Sequence, residues 1–334
     1  MNFIFTHIFI FVFGFLLTFF FIKKFLKVSH KLKNYGEENT YVTRVEKVPT
    51  SGGIVIFFVF LLSFIFFYFL NADHIVENLP NRSYLLVISV FTLFTISVYD
   101  DFYTIHPFYK LILQIILAYI SIVCINLNEI NFPLKFIILL MVIFWVYIMN
   151  IINFIDGSDG FLSSYSLFFF SSIFFTELMT LDFNSITKLI SFLVLPTLIV
   201  FLYFNKPMAK IFMGDSGSIF LGFLIGFTNL ELIIQGHWKL SLILLMYPLL
   251  DCTITLLIKI KNGHYPWARL FDYFFLGPIK KDNNHKFVLK VISIYLLINF
   301  LIFIAQIKFQ ESYFFILISL ILTIITLIIF KKKS

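Results

Sequence analysis

The sequence predicts an all-α fold, a polytopic integral membrane protein with about eleven transmembrane helices. Three observations predict it. The 334 residues are 60% hydrophobic and 13% charged, where a soluble domain is about 45–50% apolar and about 25% charged. The apolar residues gather into eleven runs, most of them near the roughly 20 residues a helix needs to cross the hydrocarbon core. The basic residues alternate from one connection to the next, as membrane topology requires. No soluble domain of useful size can be cut from such a chain, and residues 1–334 read as one membrane domain.

Taken in order, run 3–22 has no basic leader and no small-residue cleavage site. It is expected to stay as the first span rather than leave as a signal peptide. Connection 23–53 is long and basic and closes on Lys47-Val-Pro-Thr-Ser-Gly-Gly53. Runs 54–70 and 84–99 follow, the second ending at Asp100-Asp101. Run 107–125 opens with Lys110 and Gln114. Run 132–150 leads into the densest polar stretch, Asn150-Ile-Ile-Asn153-Phe-Ile-Asp156-Gly-Ser-Asp159-Gly160. Runs 161–180 and 186–204 lead to Met213-Gly-Asp215-Ser-Gly-Ser218, which opens run 219–235. Run 238–258 contains Asp251, and the second long connection, 259–287, holds His264, Arg269, Asp272 and His285. Runs 288–307 and 312–330 close the chain.

Connections after odd-numbered runs, with the C-terminal tail, hold 20 of the 25 Lys and Arg residues, and the other side holds 5. The positive-inside rule then places the N-terminus outside and the C-terminus in the cytoplasm. Every motif above falls on the cytoplasmic side. The net charge of +7 follows from topology and attraction to anionic headgroups, and implies no nucleic acid. Cys124 and Cys252 lie inside apolar runs and make neither a disulfide framework nor a zinc site. No repeat points to a solenoid or to an inverted-repeat transporter.

The polar groups suit one chemistry. Adjacent carboxylates such as Asp100 and Asp101 repel unless a cation lies nearby. A magnesium ion takes one or two carboxylates together with substrate phosphates. Asp215 opens a helix among glycines, where exposed N–H groups favour an anion. Asn153, Asp156 and Asp159 add oxygen ligands, and Lys47, Lys110 and Arg269 could hold phosphate oxygens. Hard oxygen donors beside basic residues suggest a metal–phosphate site rather than zinc. Each motif taken alone has a plainer reading: a solvated cap, a common turn, a helix stop, a topology charge. Asp251 differs, because a carboxylate inside a span is a functional candidate by default.

Together the motifs resemble the polyprenyl-phosphate N-acetylhexosamine-1-phosphate transferases, glycosyltransferase family 4, relatives of phospho-N-acetylmuramoyl-pentapeptide transferase. The matching pieces are Pro49-x-x-Gly52-Gly53, Asp100-Asp101, Lys110-x-x-x-Gln114, Asn150-x-x-Asn153-x-x-Asp156-Gly157-x-Asp159-Gly160, Gly214-Asp215-x-Gly217-Ser218 and Pro248-Leu-Leu-Asp251. The resemblance covers the second to ninth spans. It implies a cytoplasmic active site in a bacterial inner membrane, Mg2+ with Mn2+ as a substitute, undecaprenyl phosphate as acceptor and a UDP-N-acetyl sugar as donor. A homodimer is compatible with it. By that analogy Asp215 is the principal metal ligand with Asn153 second, and Asp100, Asp101 and Asp215 form the catalytic group. Asp100 and Asp101 flank the acceptor phosphate. Lys47, Lys110, Asn150, Asp156 and Asp159 bind substrate. The His-x-His-His cluster often found before the last spans is missing; His264, Arg269, Asp272 and His285 are expected to replace it in part. Two other readings stand beside transfer to a lipid-linked surface glycan. One is the pentapeptide transferase of peptidoglycan synthesis, the other an ion-coupled membrane transporter.

Overall fold

The computed structural model describes residues 3–32, 48–50, 52–70, 83–122, 134–180, 186–265, 272–309 and 312–333. Among these every regular element is a helix and no strand occurs. The helices are α1 (Phe3–Leu32), α2 (Gly52–Leu70), α3 (Ser83–Phe102), α4 (Pro107–Ile122), α5 (Leu134–Phe154), α6 (Phe161–Thr180) and α7 (Ile186–Asn205). They continue with α8 (Gly214–Ile234), α9 (Trp238–Lys261), a short α10 (Gly277–Asp282), α11 (His285–Lys308) and α12 (Tyr313–Lys333), with a single 3-10 turn at Phe274–Leu276 before α10. Among the described residues nine helices are long and apolar enough to span a membrane, and α4 and α6 hold shorter apolar stretches. A helix satisfies its own backbone, which lipid cannot do, so uninterrupted apolar runs settle as helices.

Each of the eleven runs read from the sequence corresponds to one of these helices, and the differences lie at the ends. α1 continues to Leu32 and α9 to Lys261, past the apolar limit. Polar residues do not end a helix once its last turns leave the hydrocarbon. α8 begins at Gly214 rather than at 219, so Asp215 lies in its first turn.

α8 is the centre of the bundle. Residues Ser216 through Leu230 are all buried, and α8 packs on α5, α3 and α2. A helix apolar on every side belongs in a core. Small residues let it approach its neighbours, the usual device where lipid supplies no hydrophobic drive between helices. Gly222 faces the Met149 backbone and Gly226 faces the Trp145 ring. The Trp145 Nε1–H donates to the Phe223 carbonyl at 2.9 Å, tying α5 to α8. Isoleucine, leucine and phenylalanine faces elsewhere, such as Ile112, Ile116, Leu139 and Ile143, remain exposed. On a span these faces meet lipid.

Candidate active site

The start of α8 is held by two neighbours. Gly52 and Gly53 donate their N–H groups to the Phe212 and Met213 carbonyls at 2.9 and 2.8 Å, and Phe212 N–H donates to Pro49 at 2.8 Å. The Pro-x-x-Gly-Gly motif is therefore a backbone brace for the turn that precedes Asp215. Its second glycine lies against the Gly217 backbone, with no room for a side chain on either. Gly214 has φ +75°, and a Cβ there would stand 2.9 Å from Asp101 Oδ2. Only glycine meets both demands cheaply.

The second neighbour is α3. Asp101 accepts the N–H of Asp215 at 2.8 Å and the N–H of Ser216 at 3.2 Å. Its carboxylate caps α8 from another helix, where the sequence of α8 itself supplies no side-chain cap. A negative group at a helix start satisfies unpaired N–H groups and meets the positive end of the helix dipole. The anion expected at this helix start is thus the protein's own carboxylate.

Asp100 points elsewhere. Its Oδ1 accepts the Ile105 N–H at 2.6 Å, which folds the short link to α4, and its Oδ2 accepts from Lys110 Nζ. Lys110 also donates to Asp215 Oδ2 at 2.8 Å. The adjacent aspartates take different partners within one cluster. Their repulsion is relieved separately, by an ammonium for Asp100 and by a helix start for Asp101.

α5 supplies the amides. Asn153 Nδ2 donates to Asp215 Oδ1 at 3.1 Å and to Ser218 Oγ at 2.8 Å. Asn150 Nδ2 donates to Gln114 Oε1 at 2.7 Å, joining α5 to α4. The loop 155–160 leaves Asp156 half-buried beside the cluster. Desolvation, then the charges of Asp215, Asp101 and Asp159, push the Asp156 carboxyl well above the usual carboxylate range. A site with so much negative charge favours a cation.

Asp159 is buried and turned away from Asp215. Its Oδ2 accepts the Ala209 N–H at 3.1 Å. His285 is also buried, and its Nδ1 accepts the Asp159 N–H at 3.2 Å beside Ser158 Oγ. Both hold the loop in place: Asp159 against the stretch after α7, His285 against α11. Both are expected from the sequence to bind substrate; their described contacts run to the loop and its flanking elements. His264 is exposed after α9, with its N–H on the Lys259 carbonyl at 3.1 Å; none of the described contacts joins it to the cluster. Lys47 and Arg269 lie outside the described residues. Asp251 accepts from Tyr247 Oη at 2.8 Å and from Phe274 N–H at 3.0 Å, so it caps the 3-10 turn.

Sequence reasoning missed Asn205. Its Oδ1 accepts from Gly160 N–H and Ser163 Oγ at 3.1 and 2.8 Å, and its Nδ2 donates to the Ile211 carbonyl at 2.9 Å. It fastens the Asn150–Gly160 stretch to the turn before α8. An amide closing an apolar run was the available signal.

Beside Lys110 a narrow cleft runs between α3, α4 and α8. Asp100, Lys110, Gln114 and Asp215 line one part, and Leu93, Ile96, Leu113 and Ile219 line the rest. Such a cleft suits an amphiphile with an anionic head. Among the described residues no three His, Cys, Asp or Glu side chains gather as a ready metal cage. The donor set still fits a hard divalent ion of the magnesium type, which needs only one or two carboxylates when phosphates complete its shell.

Comparison with known proteins agrees with the motifs. Residues 83–233 match the family described as Glycosyl transferase family 4. A Bacillus subtilis (strain 168) protein named "Probable undecaprenyl-phosphate N-acetylglucosaminyl 1-phosphate transferase" is 30% identical over 192 residues, 53% of this chain and 52% of that protein. The match thus spans about half of that relative. A phospho-N-acetylmuramoyl-pentapeptide-transferase of Listeria monocytogenes serovar 1/2a is 25% identical over 232 residues, 62% of this chain and 68% of its own length. One from Lactobacillus helveticus is 27% identical over 240 residues, 66% and 72% of the two chains.

Proposed function

We propose that this chain, a member of glycosyl transferase family 4 through residues 83–233, moves a sugar-1-phosphate from a UDP-N-acetylhexosamine to undecaprenyl phosphate. The products are undecaprenyl-diphospho-sugar and UMP, the first step of a lipid-linked surface glycan such as O-antigen, capsule or teichoic acid. One observation carries the reading: Lys110 joins Asp100 and Asp215 at the polar end of an apolar cleft between helices. An anionic lipid head and a phosphate-rich donor both need positive charge at such a place.

In the reaction an oxygen of the lipid phosphate attacks the sugar-proximal phosphorus of the donor. A new P–O bond forms, the bond from that phosphorus to the UMP phosphate oxygen breaks, and UMP leaves. Phosphoryl transfer asks for positioning and charge neutralisation more than for covalent help. A phosphate monoester has a second pKa of about 6 and needs no strong base near neutral pH. This agrees with the aspartates being engaged, Asp100 by Lys110 and Ile105 and Asp101 by the start of α8. It favours direct attack over an aspartyl-phosphate. Asp215, with Asn153 and Asp100 near it, would hold Mg2+, which neutralises the diphosphate. Asn153, beside Asp215, would be the ion's second ligand. Lys110 holds phosphate oxygens, and Asp156 borders the donor.

The charge bias of the connections supports a cytoplasmic site with the N-terminus outside, in a bacterial inner membrane, and the whole chain reads as one domain. The long match to pentapeptide transferases supports the alternative donor. The connection 262–287, without a His-x-His-His cluster, favours the simpler UDP-N-acetyl sugars. Asp251 is engaged with Tyr247 and Phe274, which weakens the transporter reading. The test is purified protein with undecaprenyl phosphate and each donor in turn, with and without EDTA, following UMP. UMP release from a simple UDP-N-acetyl sugar, abolished by EDTA and by Asp215→Asn, is expected. Near-full activity in Asp215→Asn overturns the assignment.

A further inference from the structure

The oxygens of Asp100, Asp101 and Asp215 are all engaged, and only one of the donors can easily leave. Asp215 Oδ1 accepts from Asn153 Nδ2 at 3.1 Å and Oδ2 from Lys110 Nζ at 2.8 Å. Asp100 Oδ1 accepts the Ile105 N–H at 2.6 Å and Oδ2 accepts from Lys110. Asp101 serves the α8 backbone with both oxygens. Backbone N–H groups are fixed by the helix starts they belong to. The Asn153 amide is neutral and also anchored on Ser218 Oγ. Lys110 is different. It is a full positive charge on a flexible four-carbon stem, shared by the two carboxylates that no backbone bond reserves completely.

We propose that Lys110 is the built-in counter-ion of the divalent-cation site, so that its ammonium and the metal exclude each other from Asp100 and Asp215. Two carboxylates and one ammonium leave a net charge of −1 at this spot. A divalent ion in place of the ammonium balances the pair, and like charge then repels Lys110 from it. Lys110 turns away along the cleft toward Leu113 and Gln114, where an anionic head would meet it. Lys110 thus keeps the carboxylates together before the metal arrives and carries its charge to a phosphate afterwards. The inference rests on the metal reading above and adds an order of events to it.

The test uses the full chain in detergent, with Mn2+ binding followed by electron paramagnetic resonance. Wild type, Lys110→Met, Lys110→Arg and Asp215→Asn are compared. Lys110→Met is expected to bind Mn2+ about tenfold more tightly than wild type, about 1.4 kcal/mol. Lys110→Arg should stay near wild type, and Asp215→Asn should lose the site. Equal or weaker Mn2+ binding by Lys110→Met, with binding intact in wild type, overturns this inference alone. Absence of Mn2+ binding in wild type overturns both it and the metal reading. A second measurement needs no variant: acylation of Lys110 in wild type, read by mass spectrometry. Labelling should rise when Mg2+ is added, because the amine is released. Labelling that is unchanged or lower with Mg2+ overturns the exchange.

Discussion

Gly53→Ala tests whether the meeting of α2 and α8 sets the site. A methyl at Gly53 would stand on the Gly217 backbone and 2.7 Å from the carbonyl carbon of Ser216. Ordinary contact begins at 3.4 Å, and the atoms in the way are backbone rather than a flexible side chain. The helices must therefore separate by about 1 Å or strain, and overpacking of this kind costs about 1–3 kcal/mol. The same residue donates to Met213, so the turn carrying Asp215 moves with α2. A displacement of about 1 Å at reacting groups can lower the rate about a hundredfold. Thermal unfolding in detergent and UMP release per folded molecule are the two readouts. Gly236→Ala is the control. Gly236 has φ +84° with nothing within 4 Å of an added Cβ, so the variant should lose about 1–2 kcal/mol through backbone strain and keep its activity. If Gly53→Ala keeps wild-type turnover and stability, the α2 contact does not position Asp215.

Three further outcomes are expected. Asp101→Ala removes the cap of α8 and should lower stability by about 1–2 kcal/mol; Asp101→Asn keeps an acceptor and should lose less, as denaturation midpoints will show. Asp251→Asn disturbs the bonds to Tyr247 and Phe274 and should cost about 1–3 kcal/mol, while UMP release per folded molecule persists without a membrane gradient; loss of turnover at unchanged stability refutes the capping role. Asn205→Ala should lower turnover more than its stability loss explains, because it frees Gly160 and the Ile211 turn together; a purely structural effect would leave kcat per folded molecule unchanged.

The fold was largely legible because lipid leaves few choices. Apolar runs of spanning length must be helices, and each of the eleven runs corresponds to one, from Phe3–Leu32 to Tyr313–Lys333. The motif residues were legible too, as polar groups at the ends of such runs. Their individual roles were less so. Asp100 and Asp101 are neighbours in sequence yet serve Lys110 and the α8 backbone respectively. Asp156 and Asp159 share one loop, but Asp159 turns to Ala209 and His285.

What the sequence determined by itself is therefore the set of helices and the inventory of groups at their ends. Hydrophobic length and charge bias act locally, and they can be read along one dimension. What only the tertiary structure decided is which donor meets which acceptor. Lys110 and Asp215 are 105 residues apart and bonded at 2.8 Å, because Gly53 and Gly217 let α2 and α8 touch and Asn205 locks the turn beside them. Hydrogen bonds of this kind depend on angstrom-scale approach between helices distant in the chain, and no local pattern records that distance.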